Sequence, residues 1–272
     1  MMAGNSDRAW VDSMPDAYDR WLVPAVFHPF AVDLAGRVAA HAPDRVLELA
    51  AGTGVLTNEI LAARPTAKVT ATDLNPAMVD VGRRRAPGAR WREANALDLA
   101  FDAAGFDVVA CQFGVMFFPD KAAALAEARR VLAPQGVILM STWGDLADHD
   151  FQAALVAGLQ RAFPDDPPSF MSSVPHGYAD PSVIAADLRA GGFDCIEIET
   201  VTLEGRAPSA ADLAMGYCNG TPVRAEIEAR GDLATTTAVV ASVMEERLGS
   251  GKVTGRMAAL AIEARATAER TR

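Results

Sequence analysis

The stretch Val46-Leu47-Glu48-Leu49-Ala50-Ala51-Gly52-Thr53-Gly54-Val55-Leu56-Thr57 constrains this chain more than any other. Its opening residues, apolar apart from Glu48, predict a buried strand. A turn of small residues follows, and Val55 opens a helix expected to run to about Arg64 before Pro65 stops it. A strand, a glycine turn and a helix in succession begin an α/β nucleotide crevice. Glycine is needed there because the backbone bends sharply and a ligand approaches where a Cβ would stand. Nineteen residues after Gly54, Asp73 closes a second apolar strand, Val69-Thr70-Ala71-Thr72. A carboxylate at that place can accept hydrogen bonds from both hydroxyls of a ribose.

Two ligands fit this geometry. A dinucleotide fingerprint wants Gly or Ala at the third glycine position, which here holds Thr57. The pattern is instead Glu48-x-Ala50-x-Gly52-x-Gly54, with an acid on the strand itself. A carboxylate there repels a pyrophosphate and suits the ammonium of a methionyl group. In this pattern the chain resembles the class I S-adenosylmethionine-dependent methyltransferases, whose first motif is an acid followed by alternating glycines. Ala50 stands where the first glycine is usual, so the turn is more hindered.

The segment Gln112-Phe113-Gly114-Val115-Met116-Phe117-Phe118-Pro119-Asp120, after a strand Phe106–Cys111, closely resembles the motif after strand four in the ubiquinone- and menaquinone-biosynthesis-like group of that family. Tyr18-Asp19 matches a Tyr-Asp pair that many of its members carry in a leading helix. The resemblance implies an α/β, Rossmann-like fold with a seven-stranded, mostly parallel sheet, an antiparallel last strand and helical lid and cap insertions. It implies S-adenosyl-L-methionine as methyl donor and S-adenosyl-L-homocysteine as product. The donor's site would comprise Tyr18, Glu48, Ala50, Gly52, Thr53, Gly54, Asp73, Leu74, Met78, Asn95, Ala96, Leu97, Gln112 and Phe113. Leu74 and Met78 would lie beside the adenosine. Asn95 stands where the family usually has Asp, and can still accept from the adenine amine through its carbonyl oxygen.

Along the chain, residues 1–42 are expected to form lid helices, with Pro15, Pro24 and Pro29 breaking residues 10–30 into short pieces ahead of an amphipathic helix from Phe30 to His41. Residues 43–145 are the expected cofactor core, with Pro134-Gln135-Gly136 turning into a fifth strand, Val137 to Trp143. Residues 146–180, including a proline-rich loop from Pro164 to Tyr178, and 206–250 read as cap insertions. In the tail, 251–272, the Ala, Met and Leu content favours helix, whereas the resemblance implies a strand inserted beside the fifth; the strand is the reading adopted, because without it the sheet lacks its last member. One domain is expected. The net charge of −10 disfavours nucleic acid and anionic membranes as partners. Three scattered cysteines, Cys111, Cys195 and Cys218, show no metal spacing and suggest reduced thiols. Met1 to Trp10 lack the apolar core of a signal peptide, and no run approaches the ~18 apolar residues of a membrane helix. A cytoplasmic protein acting on a small-molecule acceptor is expected, with room for a homodimer.

S-adenosylmethionine brings its own leaving group, so the protein's tasks are to align a nucleophile in line with the S–CH₃ bond and to exclude water. No metal or covalent nucleophile is required. A base is needed only when the acceptor must lose a proton, and the candidates are His28, His149 and His176; His41, at a helix end, reads as a dipole partner. An apolar wall of Phe27, Met116, Phe117, Trp143 and Phe170, beside His28, suits a small hydrophobic or aromatic acceptor. Two other readings remain at this point: a regulatory protein that binds the donor without turnover, and an NAD-dependent oxidoreductase, against which Glu48 and Thr57 argue.

Overall fold

A computed structural model describes residues 14–267; the expectation for Met1 to Trp10 lies outside the described residues. The strands are β1 (Arg45–Glu48), β2 (Lys68–Asp73), β3 (Arg90–Glu93), β4 (Phe106–Gln112), β5 (Leu132–Trp143), β6 (Cys195–Ala207) and β7 (Val253–Arg265). The helices are α1 (Met14–Ala17), α2 (His28–Ala40), α3 (Val55–Ala63), α4 (Pro76–Arg85), α5 (Lys121–Val131), α6 (Asp150–Ala162), α7 (Phe170–Ser173), α8 (Pro181–Ala190), α9 (Ala210–Gly220), α10 (Val223–Glu228) and α11 (Leu233–Leu248). A π-helical stretch, Tyr18–Phe27, joins α1 to α2.

The strands form one seven-stranded sheet in the order β3-β2-β1-β4-β5-β7-β6. The pairs β3–β2, β2–β1, β1–β4 and β4–β5 are parallel, and the last strands are antiparallel, as expected for the class I fold. Parallel neighbours need crossovers, which α3, α4 and α5 supply. Because β1 pairs with β2 on one side and β4 on the other, the winding reverses at β1, and the carboxyl ends of β1 and β4 flank the place where open α/β sheets bind ligands. The tail conflict resolves as the strand: β7 lies between β5 and β6, with Met257 through Ile262 buried. A strand covered on both faces reads as a continuous apolar run, which alternation cannot distinguish from helix.

Three local readings change. The aromatic N-terminal segment is not broken into short pieces: it is helical from Met14 to Ala40. Pro24 has no N–H to donate, and the local widening to π geometry, with the His28 N–H donating to the Val23 carbonyl, accommodates it. β5 begins at Leu132 instead of Val137. Phe106 pairs with Leu132 and Val108 with Val137, so Pro134-Gln135-Gly136 forms a bulge inside the strand. The loop from Pro164 to Tyr178 contains the single turn α7. Among the described residues one helix, Met14–Ala40, is long and apolar enough to cross a membrane by length and composition, a longer apolar stretch than the sequence reading allowed; half of its most apolar window is buried inside the molecule.

The chain divides into two compact units. One, the sheet unit, comprises Ala31–Thr142, Tyr178–Val201 and Ala259–Arg272; the other, the helical unit, comprises Met1–Phe30, Trp143–Gly177 and Thr202–Ala258. The sheet unit is built on Val46, Leu47, Val109 and Ile138, none of them measurably exposed. In the helical unit, α9 lies so close to the π-helical stretch that a Cβ on Gly220 would fall 2.6 Å from the Tyr18 backbone nitrogen, and one on Gly216 2.8 Å from Leu22.

Candidate active site

At the carboxyl end of β1, Glu48 is 1 % exposed. The Thr57 hydroxyl on α3 donates to its Oε2 at 2.6 Å, and the Thr72 hydroxyl on β2 donates to its backbone carbonyl at 2.8 Å. Burial pushes the Glu48 carboxyl up to about 8; the Thr57 hydrogen bond opposes this and the Asp73 charge adds to it. An ammonium beside Glu48 would draw it back to the ionised form. Thr57, read from sequence as a departure from a dinucleotide fingerprint, is thus the partner of the buried acid.

The turn itself is held by Asp73, whose Oδ2 accepts from the Gly52 N–H at 2.8 Å and whose Oδ1 accepts from the Asn75 N–H at 2.9 Å. Each carboxylate oxygen has a second lone pair, so this pinning is compatible with ribose hydroxyls as further donors. Gly52 has φ +55° and open space where a Cβ would stand, the cradle that a close-approaching ligand needs. Ala50 adopts φ 50° and Phe113, just past β4, φ 52°. Left-handed non-glycine residues cost of order 1 kcal/mol and collect at functional sites. The two loops touch there, since a Cβ on Gly114 would lie 2.5 Å from that of Ala50.

Trp91, on β3, is a supporting residue the sequence reading missed. Its indole N–H donates to the Ala86 carbonyl at 3.0 Å, and its ring fills the space beside Gly54 and Gly82. A lone tryptophan in a short strand, with a glycine on the preceding helix, was the available signal. Of the run Arg83-Arg84-Arg85, read as a solvated helix end, Arg83 pairs with Asp80 in solvent, whereas Arg85 reaches the Thr53 hydroxyl in the turn at 3.4 Å.

Around this turn Leu74 is 40 % exposed and Met78 is buried. Asn95, Ala96 and Leu97 form a tight turn in which the Asn95 Oδ1 already accepts from the Leu97 N–H at 3.0 Å, leaving one lone pair for any further donor. Gln112 ends β4, followed by Phe113 and a 3₁₀ turn, Val115–Phe117, that contains Met116 and Phe117. Behind it Cys111 is buried, with its thiol pushed up to about 12 by burial, so it is not a nucleophile.

The remaining candidates lie in the helical unit. Tyr18 and Phe27 stack at 4.7 Å, and Phe27 and Phe30 meet Trp143 at 5.7 and 5.3 Å. His149 and His176 form a buried T-shaped pair with centroids 4.5 Å apart, and Trp143 lies 5.4 and 6.3 Å from them. Desolvation, then the neighbouring His176, bring the His149 imidazole down to about 3; burial also lowers His176. Both are neutral at physiological pH. His28 is exposed at the start of α2, and Phe170 opens α7 with its N–H on Glu226. His41, in the sheet unit, pairs with Glu263 at 3.2 Å. Among the described residues no group of three or more His, Cys, Asp or Glu side chains could hold a metal ion.

A buried acid beside a positive-φ turn, an aspartate one strand away and an open glycine cradle fit a ligand that carries both an ammonium and a ribose. Comparison with known proteins agrees. Residues 46–136 match the family described as "Methyltransferase domain". The demethylmenaquinone methyltransferase of Deinococcus radiodurans is 32 % identical over 177 residues, covering 58 % of this chain and 71 % of that protein. The ubiquinone/menaquinone biosynthesis C-methyltransferase UbiE of Dinoroseobacter shibae is 27 % identical over 217 residues, covering 74 % and 79 %. In fold, the chain is similar to a phosphoethanolamine N-methyltransferase of Haemonchus contortus solved with S-adenosylhomocysteine, at TM-score 0.61 and 14 % identity, covering 98 % of this chain and 62 % of that one. The chain belongs to the class I S-adenosylmethionine-dependent methyltransferases of the ubiquinone/menaquinone type. It is an S-adenosylmethionine-dependent methyltransferase.

Proposed function

We propose that the turn after β1 holds the methyl donor and that the acceptor is a small compound with a hydrophobic or aromatic ring. The observation that carries this is the pairing of a buried, hydrogen-bonded Glu48 with an Asp73 that pins the glycine turn. In this reading Glu48 faces the donor's ammonium and Asp73 its ribose hydroxyls. Leu74 and Met78 flank the adenine, Asn95 accepts from its amine, and Gln112 and Phe113 border the methionyl arm. Once bound, the donor supplies a methyl group made electrophilic by its sulfonium. What the chain adds is orientation and a dry environment. The aromatic set Phe27, Phe30 and Trp143 is the candidate acceptor wall of the helical unit. Two of the relatives are named for demethylmenaquinone and for ubiquinone/menaquinone, which supports a ring-bearing acceptor of quinone-precursor character.

The test is calorimetric titration of S-adenosylhomocysteine into the wild type and Asp73→Ala. Losing charged hydrogen bonds should cost about 2–3 kcal/mol, roughly 30- to 150-fold in affinity. Binding of NADH without binding of S-adenosylhomocysteine would overturn the assignment. Binding of the latter, but no methyl transfer across a panel of phenols, quinols and amines, would favour a regulatory role.

A further inference from the structure

The helical unit holds hydrogen-bond acceptors that nothing in the described chain satisfies. The His176 Nδ1 lies 2.9 Å from the Gly144 carbonyl, which can only accept, so the proton sits on Nδ1 and Nε2 presents a bare lone pair. That Nε2 is buried and has no partner among the described residues; the same is true of Gln152 Oε1, three residues along the chain from His149. Neither ring nitrogen of His149 has a hydrogen-bond partner of ordinary geometry among the described residues, although the Ala258 carbonyl is near enough to favour its charged form. Leaving such groups unpaired costs free energy, so natural cores seldom keep them without use.

What surrounds them narrows the ligand. Trp143 stands against both imidazoles, and Phe27 and Phe30 stand against Trp143, so the polar atoms sit beside an aromatic wall. A cation is poorly served. Of the nearby carboxylates, Asp148 pairs with the Arg256 guanidinium at 3.3 Å and Asp150 accepts from the Arg256 N–H at 2.7 Å, while Asp145 caps its own turn. The unmet need is for a neutral donor. We propose that His176 Nε2, seconded by His149 and Gln152, is the recognition site for a hydroxyl carried on an aromatic ring, the phenol or quinol type of acceptor. This rests on the methyltransfer reading above and adds to it the residues that would recognise the acceptor's hydroxyl. Because the atoms are buried, whatever covers them must yield for the hydroxyl to enter.

The probes are 2-naphthol and 2-methoxynaphthalene, which share a ring system and differ in one donor. Each is titrated into the full chain with and without S-adenosylhomocysteine. We expect the wild type to bind naphthol about tenfold more tightly than its methyl ether. His176→Phe should bring the two within about twofold while still binding the ether. Equal affinity in the wild type, no binding of either probe, or a preference that survives His176→Phe would each overturn the proposal, as would tighter binding of 2-naphthylmethylammonium. Absent binding of S-adenosylhomocysteine would instead strike the donor assignment and leave the naphthol preference readable. Should His176→Phe fail to fold, the ¹⁵N resonance of Nε2 in the wild type decides: naphthol and not the ether should move it, and an unmoved resonance overturns the proposal.

Discussion

The turn after β1 and the aromatic cluster around Trp143 solve opposite problems. In the turn, polar groups close on one another: Thr57 on Glu48, Thr72 on the Glu48 carbonyl, and Gly52 and Asn75 on Asp73. Around Trp143, buried polar atoms of His149, Gln152 and His176 are left unpaired within the described chain. The first arrangement is preorganised, holding its shape before a ligand arrives. The second stores an unmet need that a ligand can satisfy. In the proposed reading the first set serves the donor and the second the acceptor.

Trp91→Ala should destabilise the protein by about 3–5 kcal/mol in urea unfolding and weaken S-adenosylhomocysteine binding, because the ring fills the space beside Gly54 and Gly82. Thr57→Val should cost about 1–3 kcal/mol by stripping a buried acceptor of its donor, whereas Gln152→Leu should be neutral or stabilising by up to about 1 kcal/mol. If both substitutions destabilise equally, the distinction between a closed and an open polar set fails.

Glu48 supplies the pH test. Its folded pKa, about 8, lies above the ordinary 4.5, so the contribution of its protonated form is fully present below 4.5, falls as pH rises, and is lost above about 8. Unfolding free energy of the ligand-free protein should therefore fall across that window with a Glu48 component of at most about 1.4 kcal/mol per pH unit, and Glu48→Gln should remove it. Ligand binding should run the other way. An ammonium favours the carboxylate, so binding at pH 7 should release up to about one proton, read from calorimetry in buffers of different ionisation enthalpy, and tighten toward pH 8. The smallest effect is expected at Ala50→Gly, which relieves a left-handed alanine and should stabilise by up to about 1 kcal/mol, offset by the unfolded-chain entropy of glycine.

Much of the sheet unit was legible because local signals agreed. The β1 turn and the Asp73 strand end each rest on a few adjacent residues, and both are present. The roles of Thr57 and Trp91 were not legible, because they act on residues 9 and 37 positions away, Glu48 and Gly54. The continuous helix through Pro24 was hidden for a different reason: π geometry breaks the 3.6-residue period by which helices are recognised. The His149–His176 contact joins two loops that sequence could name only as separate candidates.

The π-helical stretch has a consequence for how the chain tolerates change in length. A π segment accommodates one more residue than the α-helix would in the same space. Deleting a single residue between Tyr18 and Phe27 should therefore let the segment relax to α geometry without rotating the turns on either side of it. Ala17 and Tyr18 would then keep their places against Gly220, whose missing side chain admits them, and Met14 would stay buried. In this segment one lost residue should do less damage than a deletion in a regular α-helix, where every residue upstream would turn by about 100° against α9.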